Sequence, residues 1–177
     1  MADGGGGVKR TLSDWLIARA SRRKPNVVIG PGGDLVLDQN TGRVSVAPDY
    51  LKRWYIIPRN RWFNIYLHRF GRSDEDRALH DHPWLFNCSF VLDGKLAEYT
   101  IDRGGIGRCH CLWAGDWRFR WGPSPHRLEL WGTHAWTLFI TGPRIRDWGF
   151  HCPQEWVPWQ KFTDPSDSGR TGRGCEQ

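Results

Sequence analysis

Apolar and polar positions alternate along most of the chain with a period of two, the spacing of a half-buried strand and not of a helix. Phe63-Asn64-Ile65-Tyr66-Leu67-His68 alternates cleanly, and Leu85 to Leu92, Lys95 to Ile101, Arg108 to Trp113, His126 to Trp131 and Ala135 to Thr141 predict further strands. Gly94, Gly104-Gly105, Gly115, Gly122 and Gly132 divide these segments as turns. Upstream, VVI, LVL and VSVA form short β-like runs around the turn signals PGGD and DQNTG. Strands recurring every ~8–12 residues with turns between them predict an antiparallel sandwich or barrel instead of βαβ units. One short helix is expected. Thr11 or Ser13 caps it, Leu12, Trp15, Leu16 and Ile17 form its apolar stripe, and it runs to Arg23 before Pro25 stops it.

The 177 residues suit one compact domain with short tails. Residues 1–10 carry four consecutive glycines and residues 164–177 hold almost nothing apolar, so both are expected as disordered tails. Residues 11–49 then supply a helix and strands that brace a barrel over residues 50–163. With 21 Gly and 11 Pro, a helical bundle is excluded, and 12 Trp suit a barrel wall or a ligand pocket. No apolar run approaches the ~20 residues that span a bilayer, and the amino terminus lacks the apolar core of a signal peptide. A soluble cytoplasmic protein without membrane contact is the expectation. The five cysteines are odd in number and form no CxxC pair, which points to reduced thiols and away from a disulfide framework or a zinc knot. Lys and Arg outnumber Asp and Glu by 25 to 19, a formal charge of +6 that suits an anionic substrate or nucleic acid, although several of these charges sit toward the chain ends.

The most informative stretch is Leu79-His80-Asp81-His82-Pro83-Trp84. Two histidines at i and i+2 on a strand project from one face and can reach one ion, while Asp81 points the other way. Pro83 lacks an N–H, so the strand ends or bends there. In His126-Arg127-Leu128-Glu129-Leu130, His126 shares a face with Leu128 and Leu130 and can enter an apolar interior as a third ligand. Three imidazoles suit zinc, iron, nickel or copper and leave coordination positions open. His110 lies between Cys109 and Cys111, which face away from it on a strand and so make a poor chelate. His134 is expected at the surface of a turn. Glu98 is a candidate fourth ligand or general base, and Tyr66, His68 and His151 are candidate acid or base groups. Arg118, Arg120 and Arg127 surround the His126 region, where a guanidinium fork recognises carboxylate or phosphate. The alternation Trp117-Arg118-Phe119-Arg120-Trp121 fits stacking on single-stranded nucleic acid, but barrel core is the commoner fate of such aromatics.

The run His80-Asp81-His82, the glycine turn after Val91-Leu92-Asp93-Gly94, and Gly115-Asp116 followed by His126 resemble the two-motif metal signature of the cupin superfamily. This resemblance implies an all-β fold, a double-stranded β-helix (jelly-roll) barrel, with two histidines and a glutamate from the first motif and a histidine from the second as metal ligands. His80, His82 and His126 match, while Asn87 stands where the glutamate would fall. The site is thus expected to have three histidines, or to borrow Glu98. The chain is also similar, over Tyr50 to Phe162, to small cupin-like proteins of bacteriophage and environmental genomes that share the HDHPW run, His126-Arg127 and Trp148-Gly149-Phe150-His151. His68, Trp84 and Asn87 join the three arginines as candidate substrate-binding residues, and the similarity places His151 at the barrel mouth. Its functional implication is a mononuclear metal-dependent enzyme with one divalent ion, Fe(II) before Zn, Ni or Mn. A non-haem oxygenase acting on a small molecule, a nucleotide or a modified DNA base is the leading expectation. Redox-neutral isomerase, epimerase or hydrolase chemistry and a non-catalytic ligand- or nucleic-acid-binding module are the alternatives. A 2-oxoglutarate requirement is disfavoured, because His82 stands where an HxD or HxE carboxylate would be. A homodimer is a family expectation.

Overall fold

The computed structural model describes residues 11–37, 43–74, 78–102 and 104–176. The tail expected over residues 1–10 lies outside the described residues. Helix α1 (Leu12–Ser21) starts at a reciprocal cap: Thr11 Oγ1 accepts from the Asp14 N–H at 3.2 Å, and the Asp14 carboxylate accepts from the Thr11 N–H at 2.8 Å. Its buried stripe differs from the expected one. Leu16, Ile17 and Ala20 pack inward, whereas Leu12 and Trp15 are 73% and 54% exposed, because the contact with the sheet is made by the last turns, where Ala20 meets Trp54.

The strands that follow are β1 (Val27–Ile29), β2 (Leu35–Leu37), β3 (Val44–Val46), β4 (Leu51–Tyr55), β5 (Asn64–Phe70), β6 (Leu79–His80) and β7 (Phe86–Ile101). After them come β8 (Gly107–Trp113), β9 (Trp117–Trp121), β10 (His126–Thr141), β11 (Gly149–His151), β12 (Trp156–Pro158), the single turn α2 (Trp159–Phe162), β13 (Thr163–Asp164) and β14 (Asp167–Thr171). Ten of them make one curled antiparallel sheet in the order β1-β4-β5-β10-β6-β11-β12, with β7 paired to β10 and carrying β8 and β9. The mostly-β fold class is as expected. No helix among the described residues is long and apolar enough to cross a membrane.

The curl comes from two strands of 16 residues each, β7 and β10. The first half of β7 pairs with the second half of β10, and the second half of β7 with the first half of β10. Gly94 and Gly132, expected as turns, therefore lie inside strands. Gly94 takes φ +85°, and a Cβ there would stand 2.4 Å from the His134 carbonyl oxygen, so only glycine lets β7 bend against β10 at this point. His134 accordingly sits in β10, half-buried, with Nε2 3.0 Å from Asp93 Oδ2.

Both faces of β4, β5 and β10 are covered, one by α1 and the other by the strands opposite. Trp54, Leu67 and Trp136 form the outer layer beneath α1. Leu51, Phe70 and Ala135 face inward with Val91, Leu96 and Leu112 from the strands opposite. A third cluster, Phe150, Val157 and Phe162, packs against Cys152 and Cys175, which are joined as a disulfide with Cα atoms 5.5 Å apart. This overturns two expectations. Those two cysteines are not reduced thiols, and residues 164–176 are not a loose tail: Thr163 pairs with Thr171 and Asp164 with Asp167 in a hairpin that the disulfide holds to the body of the fold. Few apolar residues are needed there because a covalent link and Phe162 do the anchoring.

Candidate metal centre

Inside the curl lies a cavity of about 290 Å³, small-molecule sized. Its wall is mainly apolar, with Leu51, Phe70, Val91 and Phe139 from the sheet, and the C-terminal hairpin closes one side through Gly169, Arg170 and Thr171. His80, His82 and His126 converge on it, with ligand nitrogens all within 4.8 Å of one another. Each is placed by a different local device. His80 belongs to β6 and stands opposite His126 of β10 and Phe150 of β11. His82 lies past the end of β6, where Pro83 interrupts pairing, and its N–H donates to the Gly122 carbonyl at 2.9 Å. A Cβ on Gly122 would stand 1.8 Å from the Trp84 carbonyl oxygen, so glycine is required for the HDHPW segment to dock beside His126. The imidazole centroids are then 4.9 to 5.3 Å apart.

The donor set fits one metal ion. His82 Nε2 and His126 Nε2 are 2.8 Å apart. Two nitrogens bound at about 2.0–2.1 Å and at a right angle would be separated by about 2.9 Å. Burial lowers the pKa of all three histidines: His82 lies well below its ordinary value, and His126 falls to about 4 from burial and the Arg120 charge, against the opposing hydrogen bond to Glu98. At neutral pH the imidazoles are uncharged, the form that binds metal.

Glu98 stands behind His126 and does not line the cavity. It is 1% exposed, its Oε1 accepts from His126 Nδ1 at 2.8 Å and pairs with Arg120, and Arg118 Nε lies 3.6 Å from Oε2. Burial alone would raise its pKa, but the His126 hydrogen bond and the Arg120 charge outweigh it and hold the carboxyl at about 2. An ionised Glu98 makes Nδ1 of His126 the protonated nitrogen and turns the Nε2 lone pair toward the cavity. The geometry thus gives Glu98 an orienting position in place of a ligand's or base's. Asn87, also fully buried, has Oδ1 3.5 Å from Arg120 Nη1 and lies outside the cavity wall.

Of the remaining candidates, His68, Trp84 and Arg120 line the cavity, and Tyr66, Arg118, Arg127 and His151 do not. Tyr66 is buried beneath the Arg53 guanidinium, 4.9 Å from its ring centroid. Arg127 lies over Tyr99 at 4.6 Å. His151 is exposed, with Nε2 3.2 Å from Asp81 Oδ2. Asp81 does point away from the histidines, but into a buried polar knot: it accepts from Gly149 N–H at 2.9 Å, Arg146 at 2.7 Å and Trp156 Nε1 at 3.1 Å. Burial would raise its pKa, yet those donors lower it. That knot fixes the loop between the two histidines. Sequence reasoning passed over it, and also over Arg53 and Asp74, which line the cavity and have no motif around them.

No family model matches the chain, and no curated protein matches it. Similar solved structures include cupin-superfamily proteins. An oxalate decarboxylase of Lactobacillus farciminis, in complex with formate, is 16% identical over 56% of this chain and 30% of its own, with a TM-score of 0.45. The Bacillus subtilis oxalate decarboxylase, studied for its Mn(II) centres, is 17% identical over 75% and 31%, with a TM-score of 0.48. A Klebsiella pneumoniae protein with a double-stranded β-helix domain is 16% identical over 58% and 84%, with a TM-score of 0.45. The chain spans 30% and 31% of the two decarboxylases' lengths.

Proposed function

We propose that the chain is a mononuclear metal-dependent enzyme in which His80, His82 and His126 hold one divalent transition-metal ion, Fe(II) by preference, and that it acts as a non-haem oxygenase on a small organic molecule in the cavity. The observation that carries this reading is the convergence of three uncharged imidazoles on one wall of a largely apolar cavity, with the Glu98 carboxylate behind one of them. A bound ion of this class supplies Lewis-acid and one-electron chemistry at positions that three protein ligands leave open. The protein's part is to orient His126 through Glu98, to keep the imidazoles neutral, and to hold the substrate away from water behind the C-terminal hairpin.

None of the acid and base candidates drawn from the sequence stands free at the cavity wall, which supports oxygenase over redox-neutral chemistry. Tyr66 and His151 do not reach the cavity, Glu98 is engaged by His126 and Arg120, and His68 Nε2 accepts from Arg53 Nε at 2.8 Å. Metal content by mass spectrometry on tag-free protein is the test, with His82→Ala and His126→Ala beside the wild type. One equivalent of iron, lost in both variants, supports the site and leads to oxygen-uptake assays. Metal retained in both variants overturns it.

A second reading, a binding surface without catalysis, draws on β9. Trp117, Phe119 and Trp121 are 59%, 46% and 58% exposed and are not barrel core, contrary to the commoner expectation. Phe90 and Phe86 stack beside them at 6.2 and 5.7 Å. The alternating Arg118 and Arg120 face the other way, toward Glu98, so stacking rings and phosphate-binding cations do not share a face as single-strand binding would need. Binding to single-stranded DNA that weakens with salt and survives loss of all three histidines would favour this reading.

A further inference from the structure

The cavity wall carries three arginines, and only two are neutralised. Arg120 pairs with Glu98, and Arg170 with Asp34 and Asp167. Arg53 is different: among the described residues no carboxylate forms a salt bridge with it. Its Nε donates to His68 Nε2 at 2.8 Å, and its guanidinium lies 4.9 Å over the Tyr66 ring. His68 is itself 4% exposed and stacked on Phe139 at 5.1 Å, so the nitrogen that holds Arg53 is fixed. Arg53 lines the cavity, and the hydrogen bond from Nε leaves its two Nη groups without a hydrogen-bond partner among the described residues. Arg53 is half-buried, and a cation partly withdrawn from water without a counter-ion is stabilised where a ligand completes the pair. Burial lowers the Arg53 pKa, against the tyrosines around it.

We propose that Arg53 is the anchor for a substrate carboxylate, and that the substrate is an organic acid whose apolar body lies along Phe139 between Arg53 and the three histidines. The inference rests on reading the cavity as the substrate site. The Phe139 ring lies 5.1 Å from His68, which holds Arg53, and 5.9 Å from His82, so it offers one apolar wall to both. An acid held by Arg53 with its body along that ring places carbon toward the histidines. The one carboxylate among the described lining residues, Asp74, is engaged by Tyr50 Oη and by the Leu128 N–H at 2.7 Å. One guanidinium balances one carboxylate. A phosphate dianion would need further free cations, and Arg120 and Arg170 are already paired.

The experiment is calorimetric titration of the full chain with 3-phenylpropionate, its primary amide and phenyl phosphate. The wild type is compared with Arg53→Gln and Arg53→Lys, and metal content is measured on each sample. Loss of one charge-assisted fork predicts about 10- to 100-fold weaker binding of the amide than of the acid to the wild type. Arg53→Gln should abolish that preference, Arg53→Lys should keep part of it, and both should retain the wild-type metal content. Equal binding of acid and amide to the wild type overturns the proposal without needing any variant, as does tighter binding of phenyl phosphate. A preference that survives Arg53→Gln overturns it too. If the wild type binds no metal yet prefers the acid through Arg53, the metal reading falls and the anchor stands.

Discussion

Replacing Glu98 by Gln tests the centre at the point where stability and metal binding meet. The side chain is 1% exposed and its Oε1 is shared by His126 Nδ1, at 2.8 Å, and Arg120, itself 7% exposed. Gln is isosteric but neutral, so the variant leaves a buried guanidinium without its counter-ion. Breaking a buried pair from one side costs about 3–5 kcal/mol. For a chain of this size each kcal/mol moves the midpoint by roughly 2–4 °C, so a fall of roughly 6–20 °C is expected. Metal affinity should drop about 10- to 100-fold as His126 loses its orienting acceptor. The double variant Glu98→Leu, Arg120→Met should recover most of the stability while leaving metal affinity low, because it removes the stranded charge but not the need for an acceptor at Nδ1. The pH dependence has a defined sign. His126 titrates at 6.5 when unfolded and about 4 when folded, and Glu98 at 4.5 and about 2, so in both windows the unfolded chain binds more protons. Stability of the metal-free protein is complete above pH 6.5 and is lost progressively as pH falls through 4 toward 2, and the Gln variant lacks the lower part of that loss. Urea unfolding followed by tryptophan fluorescence across this range, with metal titration at neutral pH, measures all three quantities. A Glu98→Gln protein with the wild-type midpoint and wild-type metal affinity would refute the arrangement.

Two further outcomes follow from the fold. Opening the Cys152–Cys175 link with a thiol reductant, or by the double Ser variant, should cost about 3 kcal/mol for a loop with a sequence separation of 23, with the first loss of amide protection confined to β13 and β14; uniform protection after reduction would show that the hairpin does not depend on the link. Gly122→Ala should lower metal content more than it lowers the unfolding midpoint, since the new Cβ meets the Trp84 carbonyl oxygen at 1.8 Å and must push the HDHPW segment away from His126; full metal content in that variant would contradict this.

Period two was enough to place most of the strands, and in β5 a slip of one residue would turn Arg69 into the cavity and Phe70 out of it. It was also enough to bring forward His80, His82 and His126, since i and i+2 share a face and His126 sits two residues from Leu128 on the same side. Strand ends were less legible. A glycine in a strand pattern signals a turn or a bend equally, and the difference at Gly94 lies in the His134 carbonyl pressed against it from another strand. The disulfide could not be read either: an odd cysteine count argues against a framework but says nothing of which two sulfurs the third core cluster brings together.

Glu98, whose role the sequence left open, and Arg53, which it passed over, share one property, that their surroundings are set by a partner on another strand. Glu98 alternates with Ala97 and Tyr99 and would be ordinary as an exposed carboxylate. It is buried only because β7 sits between β8 and β10 and because Arg120 and His126 arrive from two different strands to meet it. Arg53 has no local signal at all, being one basic residue in Leu51-Lys52-Arg53-Trp54-Tyr55, and its significance lies in the register that sets it opposite His68. Alternation reveals which face a charge occupies but not whether a counter-charge waits there. That pairing is a property of the closed sheet, and among the described residues that line the cavity Arg53 is the arginine for which no carboxylate arrives.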